Sequence, residues 1–296
     1  MYYDALRTFI SVVEEGNFTR AAEKRLISQP SVSVHIQNLE KEFDTSLFVR
    51  SPKQLKLTTT GELLYERAKQ IIQIYETTKE EIIEHHHSLA LELKIGASFT
   101  IGEYVLPSLL EELGKIYPEI KLEVIIGNTE EIVEHVKLFH VDIGLIEGQS
   151  NDRSLEVFPF MIDELKIVAT PNHLLSLKDG VSIEELQNQT WISREKGSGT
   201  RSYLEHVLRS HGLKVKNVIS ISSTQGVKEA VIRGLGLSLL SKFAIAREVE
   251  SQYLSQISLK DESFLRRFSY VTSRFVSKQK ELDVFIGLLK KRWVND

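Results

Sequence analysis

One stretch limits the possible folds more than any other. Leu64, Ala68, Ile71, Tyr75, Thr78 and Ile82 follow one another at intervals of four, three, four, three and four residues. Such spacing draws a heptad seam along one helix, and a seam of that kind needs a partner helix. Thr59 and Glu62 stand at capping-box spacing, so the helix is expected from near Thr60 to near His87. Glu and Lys crowd its other faces, so a helix this long cannot bury the seam by itself. A second copy of the chain, or the segment ahead of the helix, has to cover it. Leu64, Ala68, Ile71, Tyr75 and Ile82 are the expected dimerisation residues. The text before this helix reads as short helices and the text after it as alternating strands and helices, so a multidomain α+β chain is expected.

Ahead of the seam, Leu6, Phe9, Ile10 and Val13 recur at helical spacing until "EEGN", where Gly16 suits a C-terminal cap and Asn17 the next N-cap. "FTRAAEKRLI" sets Phe18, Ala21, Ala22 and Leu26 on one side, and its alanines allow another helix to approach closely. Ser28 can cap a third helix and Pro30 fits its first turn. In that helix Val32, Ile36, Leu39 and Phe43 fall within about a sixth of a turn, a stripe suited to a core. Opposite stand Pro30, Val34, Gln37, Asn38 and Lys41, with Ser33 at the flank. That face is mostly short and neutral, and it lacks the Glu–Lys lacing of a solvated helix. Three short helices in succession suggest a helix-turn-helix. "LFVRSPKQLKLTTTG", with Leu55 and Leu57 alternating with Gln54 and Lys56 after a turn at Ser51-Pro52, suggests a small wing.

Residues 1–60 hold eight Lys or Arg against seven Asp or Glu, so only their distribution can matter. Arg20, Lys24, Arg25, Arg50, Lys53 and Lys56 gather on the second helix and the wing, where phosphates would flank a helix lying in a major groove. The same cluster is also readable as a solvated basic surface.

Behind the seam, "LKIGAS", "YVLPSLLEELGKIY", "KLEVIIG", "EEIVEHVKLF" and "VDIGLIEG" alternate strand and helix. "ELKIVATP", "TRSYLEHVLRSHG", "VISISS", "TQGVKEAVIRGLG" and "LSLLS" restart the same order, and "KQKELDVFIGLLKKRW" can return to the first unit. Alternation of this kind argues for parallel sheets with covering helices. Ligands in such folds sit beyond the carboxyl ends of strands. "ASFT", "EKGSGTR" and "SSTQG" occupy those places: Ser98, Thr100, Ser198, Thr200, Ser222 and Thr224 offer hydroxyls, and Gly197 and Gly199 allow exposed amides. Arg201 can add the fork-like contact that carboxylates favour, which describes a pocket for a small anion. Ser and Thr before helices are also ordinary caps, so the case rests on their recurrence in both halves.

The blocks "FTRAAEKRL", "SQPSVS" and "LTTTG", in that order and spacing, resemble LysR-type transcriptional regulators, and the similarity runs through the whole chain. The resemblance implies a winged helix-turn-helix over 1–58, a linker helix for dimerisation over 59–90, and an effector-binding domain over 91–296. That domain would have two α/β lobes, 91–162 with 268–296 and 163–267, similar to periplasmic substrate-binding proteins, with crossovers near residues 163 and 267. Gln29, Pro30, Ser31, Ser33, Val34 and His35 would approach the bases, and Arg50, Pro52 and Lys53 the backbone or minor groove. Gln37 and Asn38 can add hydrogen bonds and Arg20 a phosphate contact, while His35 is equally readable as a structural histidine. Family members often carry a polar or charged residue at Val34, so here a thymine methyl is the expected contact. The family places effector contacts at Ser98, Thr100 and the "GSGT" loop, and Phe99 and Glu147 complete the expected set. "REKGSGTR" is most similar to regulators of sulfur assimilation and carbon fixation, which points to sulfite, sulfate or a small carboxylate. Ile101 stands where some sulfate-binding relatives carry a polar residue.

The expected partners are promoter DNA, the effector, further copies of the chain as a dimer or homotetramer, and RNA polymerase for an activator. With no cysteine there is no disulfide, thiolate nucleophile or Cys-ligated metal. The three histidines of "EHHHS" point about a hundred degrees apart on a helix and cannot all reach one ion. No G-x-S-x-G, P-loop, zincin or Rossmann fingerprint is present, so neither catalysis nor a resident cofactor is expected. No long apolar run or leader-like N-terminus is found, which points to the cytoplasm. The net charge of −4 gives no global pull toward nucleic acid. Two other readings stay open: a constitutive DNA-binding protein whose α/β half only oligomerises, and a transport receptor.

Overall fold

The structure, a computed structural model, describes residues 2–49, 55–85, 92–150, 152–260, 262–274 and 280–293. The chain divides into two units, Met1–Leu89 and Ala90–Asp296.

The first unit runs α1 (Tyr2–Glu15), α2 (Phe18–Arg25), α3 (Gln29–Glu42), β1 (Phe48–Val49), β2 (Lys56–Leu57) and α4 (Thr59–His85). The Asn17 side chain accepts the Thr19 and Arg20 amides to open α2, and Ser28 accepts the Ser31 amide to open α3. Phe9, Val12, Ala21, Val32, Ile36 and Leu39 form the centre of the core. Phe43, expected on the core stripe, is instead 50% exposed. It is the C-cap of α3, where the backbone leaves the helix and the wheel geometry stops applying. β1 and β2 pair antiparallel as the base of the wing, with Phe48 opposite Leu57.

α4 starts one residue earlier than the capping-box spacing places it, because the Thr58 hydroxyl accepts the Gly61 amide at 2.9 Å. Gly61 also lets the helix press on the wing, since a Cβ there would collide with the Leu47 carbonyl. The heptad seam does not form one surface. Leu64 and Ala68, with Tyr65 and Ile72, pack into the core of the first unit, and Ala68 is wholly buried. Ala68 is thereby removed from any dimer seam. Leu63, Ile71, Ile74 and Tyr75 are exposed, and the Tyr75 ring lies 4.5 Å from that of Tyr3. The side chain of Ile82 lies outside the described residues. A helix with apolar residues on two faces can cover its own head with one and offer the other.

The second unit contains β3 (Glu92–Ser98), α5 (Phe99–Tyr104), α6 (Leu106–Ile116), β4 (Lys121–Gly127), α7 (Thr129–Lys137), β5 (Ile143–Glu147) and β6 (Leu155–Ala169). It continues with β7 (Thr190–Arg194), α8 (Gly199–Ser210), β8 (Asn217–Ile221), α9 (Thr224–Ile232), β9 (Ser238–Ser241), α10 (Lys242–Glu250), β10 (Ser255–Ile257), β11 (Phe264–Ser273) and α11 (Lys280–Trp293). In the first lobe β4, β3 and β5 run parallel and β5 joins β11 antiparallel. In the second, β8 and β7 run parallel, a Trp191–Leu237 bridge leads to β9, and β9 joins β6 antiparallel. β6 and β11 pair with each other from Phe264–Leu165 to Ser273–Leu155, so they tie the lobes together.

Each lobe has apolar clusters on both faces of its sheet. Leu109, Phe268 and Phe285 pack under α6 and α11 in the first lobe, and Ile132 and Val271 under α7. Trp191 and Leu204 pack under α8 in the second, and Val227 and Ile245 under α9 and α10. Burying side chains of this size contributes about 1.5–3 kcal/mol each before entropy. Among the described residues no helix is long and apolar enough to cross a membrane.

Candidate functional site

Two regions gather the residues singled out above. The first is the outer face of α3. Pro30, Gln37 and Asn38 are exposed, Val34 is 50% exposed, and Ser31, Ser33 and His35 are half-buried. Gln29 Nε2 donates to Ser33 Oγ at 3.1 Å, and the Ser31 and Ser28 hydroxyls lie 2.8 Å apart. His35 Nδ1 is 2.9 Å from Thr8 Oγ1, whose own proton goes to the Asp4 carbonyl at 2.7 Å. His35 Nδ1 is therefore the donor of that bond. One nitrogen holds the ring in the fold and the other stays available beside the groove lined by Val34, Asn38 and Lys41. Arg20 is exposed. Lys24 and Arg25 are less available than the sequence suggests, since Lys24 pairs with Glu14 and Glu15 and Arg25 approaches Asp4 at 3.8 Å. Arg50, Pro52 and Lys53 lie outside the described residues.

The second region is the cleft between the lobes, at the carboxyl ends of β3, β5 and β7. Glu147 sits at its centre. Its Oε1 accepts the Thr100 amide at 3.1 Å, and its Oε2 accepts the Thr200 hydroxyl at 2.9 Å and Arg266 Nη1 at 2.7 Å. Arg266 Nε donates to Asp163 Oδ2 at 2.8 Å, and Asp163 Oδ1 accepts the Ser241 hydroxyl at 2.7 Å. The network thus links residues of both lobes through the two crossing strands. α8 begins flush against this centre because Gly199 has no side chain, and a Cβ there would stand 2.6 Å from the Glu147 carbonyl. Burial opposes ionisation of Glu147, but Arg266 and the Thr100 and Thr200 hydrogen bonds outweigh it and hold the carboxyl below its ordinary range. Burial pushes Asp163 up, and Arg266 and Ser241 only partly offset it.

A second buried cation stands at the end of β7. Arg194 donates from Nε and Nη2 to Glu195 at 2.8 and 2.9 Å and from Nη1 to the Thr224 hydroxyl at 2.9 Å. Its guanidinium carbon lies 4.3 Å from the centre of the Phe99 ring, which brings the second lobe onto the first. Lys228 makes a further tie between lobes, donating to the Tyr104 hydroxyl at 3.2 Å, the Ala244 carbonyl at 3.0 Å and Glu248 at 2.5 Å. Ser98, Thr129 and Ser193 hold buried hydroxyl oxygens with no partner among the described residues.

Several expected effector contacts are thus already engaged inside the protein. Thr100 and Thr200 each donate to Glu147, and Phe99 and Thr224 flank Arg194. Gly197 holds a left-handed φ of +92° and its carbonyl accepts the Glu130 amide at 3.2 Å, while Ser198 is buried just before α8. Arg201 does not offer the open fork expected of it. Its Nε binds Glu205 at 2.7 Å, one helical turn away, and its Nη1 reaches the Arg194 carbonyl and the Ser220 hydroxyl. Ile101 is a core residue of the first lobe. Sequence reasoning missed Arg194, Arg266 and Asp163. The available signal was a charge inside an otherwise apolar strand, as in "MIDELKIVA" and "FLRRFSYV", because a buried charge demands a partner.

Residues 3–62 match the family model of the bacterial regulatory helix-turn-helix protein, lysR family, and residues 86–294 match the LysR substrate binding domain. The chain is 54% identical over 293 residues to the HTH-type transcriptional regulator CysL of Bacillus subtilis strain 168, covering 99% of this chain and 98% of that protein. It is 32% identical over 283 residues to a probable RuBisCO transcriptional regulator of Cyanidioschyzon merolae, covering 93% of each. The regulatory domain of Synechocystis PCC6803 CcmR, solved in complex with 2-PG, matches with a TM-score of 0.64 at 24% identity, over 69% of this chain and 98% of that one. A helix-turn-helix model over the first unit, a substrate-binding model over the second and near full-length likeness to a LysR-type regulator agree, and the chain belongs to the LysR family of transcriptional regulators.

Proposed function

We propose that this regulator controls genes of sulfur metabolism and that its effector is a small oxyanion or carboxylate, sulfite and sulfate foremost, held between the lobes. The similarity to CysL supports the pathway. The observation that carries the effector class is the set of buried hydroxyls of Ser98, Ser193 and Thr129 without partners among the described residues. Buried hydroxyls are nearly always hydrogen-bonded, and a small oxyanion supplies several acceptors in little volume. The α3 face reads bases through Val34, His35, Gln37 and Asn38, with Gln29, Pro30, Ser31 and Ser33 at the helix start and Arg20 on phosphate. Leu63, Ile71, Ile74 and Tyr75 of α4 cover one another between copies, so DNA sites come as paired half-sites. Anion binding changes lobe closure or rotation, which requires unequal affinity for the two assemblies, and the changed assembly acts on RNA polymerase as an activator. The protein works by binding and carries out no catalysis, and its place is the cytoplasm.

The test is the melting temperature of the full chain across sulfite, sulfate, thiosulfate, phosphate, O-acetylserine and small carboxylates. A ligand present at a hundred times its Kd stabilises by about 2.7 kcal/mol, so one chemical class should stand out. Ser98→Ala should remove that shift. If no compound shifts protein that still binds its promoter, the α/β half is not an anion sensor and the constitutive reading takes its place.

A further inference from the structure

The cleft contains two buried guanidinium groups and three carboxylates bound to them. Arg266 holds Glu147 and Asp163, and Arg194 holds Glu195. Among the described residues of the cleft both guanidinium groups are already paired, so an anion that takes an arginine there has to displace a carboxylate. The three are not equally displaceable. The side chains of Glu147 and Asp163 are 3% and 0% exposed, and each has hydroxyl or amide partners besides arginine. Glu195 is 22% exposed and bonds only to Arg194 among the described residues. It is also the chain neighbour of the arginine it holds, so moving it aside takes a side-chain rotation and no separation of lobes.

Arg194 would stay in place when Glu195 leaves. Its Nη1 bond to Thr224 and its stacking on Phe99 do not involve the acid. The two nitrogens then freed, Nε and Nη2, are the pair that now grips both carboxylate oxygens at 2.8 and 2.9 Å. They form a fork of the geometry that a carboxylate, sulfite or sulfate fits with two oxygens. Phe99, the ring on which Arg194 stacks, directly follows Ser98, whose buried hydroxyl has no partner among the described residues.

We propose that Glu195 is a built-in competitor of the effector: it occupies the fork of Arg194 that a bidentate oxyanion or carboxylate takes, and so sets the affinity and charge selectivity of the cleft. This inference rests on the anion-sensing reading above. A neutral effector could not compete for the fork, and a monodentate halide would lose one of its two bonds.

Calorimetric titration of the full chain with sulfite, sulfate and acetate tests it, using wild type, Glu195→Gln, Arg194→Gln and Arg194→Lys. Removing the competing charge should tighten the preferred anion about tenfold or more in Glu195→Gln. Arg194→Gln should lose binding at least as strongly. Arg194→Lys, which keeps the charge and removes the fork, should fall between wild type and Arg194→Gln. A cooperative melting transition without anion confirms that each variant is folded. Binding by Glu195→Gln where wild type shows none supports the competitor role in its strongest form. If wild type binds an anion and Glu195→Gln binds it equally or more weakly, Glu195 only braces Arg194 and the inference falls while the anion-sensing cleft stands. If folded wild type and Glu195→Gln both bind no anion, the anion-sensing reading fails and takes the inference with it.

Discussion

The α3 face and the interlobe cleft treat polar groups in opposite ways. On α3 the short side chains stand in solvent, and their bonds close within a turn, as from Gln29 to Ser33 and Ser28 to Ser31. The His35–Thr8 bond reaches another helix. In the cleft the groups are buried, and partners such as Arg266 and Glu147 come from positions 119 apart in the chain. A surface that meets DNA can leave its groups hydrated until docking, because water substitutes at little cost. A cleft that holds two lobes together has no such solvent, so its charges are satisfied internally.

The largest test of this contrast is Arg266→Met. It leaves Glu147 and Asp163 buried without their cation, and breaking a buried pair in this way costs about 3–5 kcal/mol. Chemical denaturation of the variant should show a loss of that size. A loss below about 1 kcal/mol would mean that water or rearrangement supplies what Arg266 does, and the contrast would collapse. Val34→Ala probes the other side. Loss of a methyl contact in the major groove should weaken preferred operator DNA by about 1 kcal/mol, with little change on random DNA. Competition binding at fixed salt distinguishes this from equal loss on both, which would make Val34 a packing residue only.

The smallest effect is a reference outside both regions. The Val207 carbonyl raises the pKa of His211, and Glu262 adds to it against the opposing effect of burial. Its contribution is full below about 6.5, the ordinary histidine value, and is lost as pH rises through the raised value in the folded chain. The ring is partly exposed, so the stability difference between wild type and His211→Gln should stay under about 1 kcal/mol at pH 5.5 and shrink by pH 8. A difference that grows with pH would have the wrong sign for this pair.

Legibility in the sequence follows the same division. The caps at Asn17 and Ser28 and the unlaced face of α3 were readable because their partners lie within a few residues. Phe43 was misplaced because periodicity does not say where a helix stops. Ala68 was misassigned because a seam looks alike whether its cover comes from the same chain or another. In the cleft, the hydroxyl-bearing turns announced themselves where strands give way to helices. The charges did not, since nothing near Arg266 in the chain indicates Glu147 or Asp163. Arg201 stands in the first turn of α8, and Glu205 four residues on is the local sign that its charge is already matched.

The wedging of Gly61 and Ala68 into the first unit has a mechanical consequence. α4 has no joint with the head that reads DNA, so it acts as a rigid handle. Its 27 residues span about 40 Å at the helical rise. A tilt of about 10° about the wedged end swings the far end by about 7 Å, roughly the rise of two base pairs. The same lever works in reverse: a modest displacement of paired handles re-aims their heads by enough to favour one spacing of half-sites over another. A gene switch can then be thrown without refolding any part of the head.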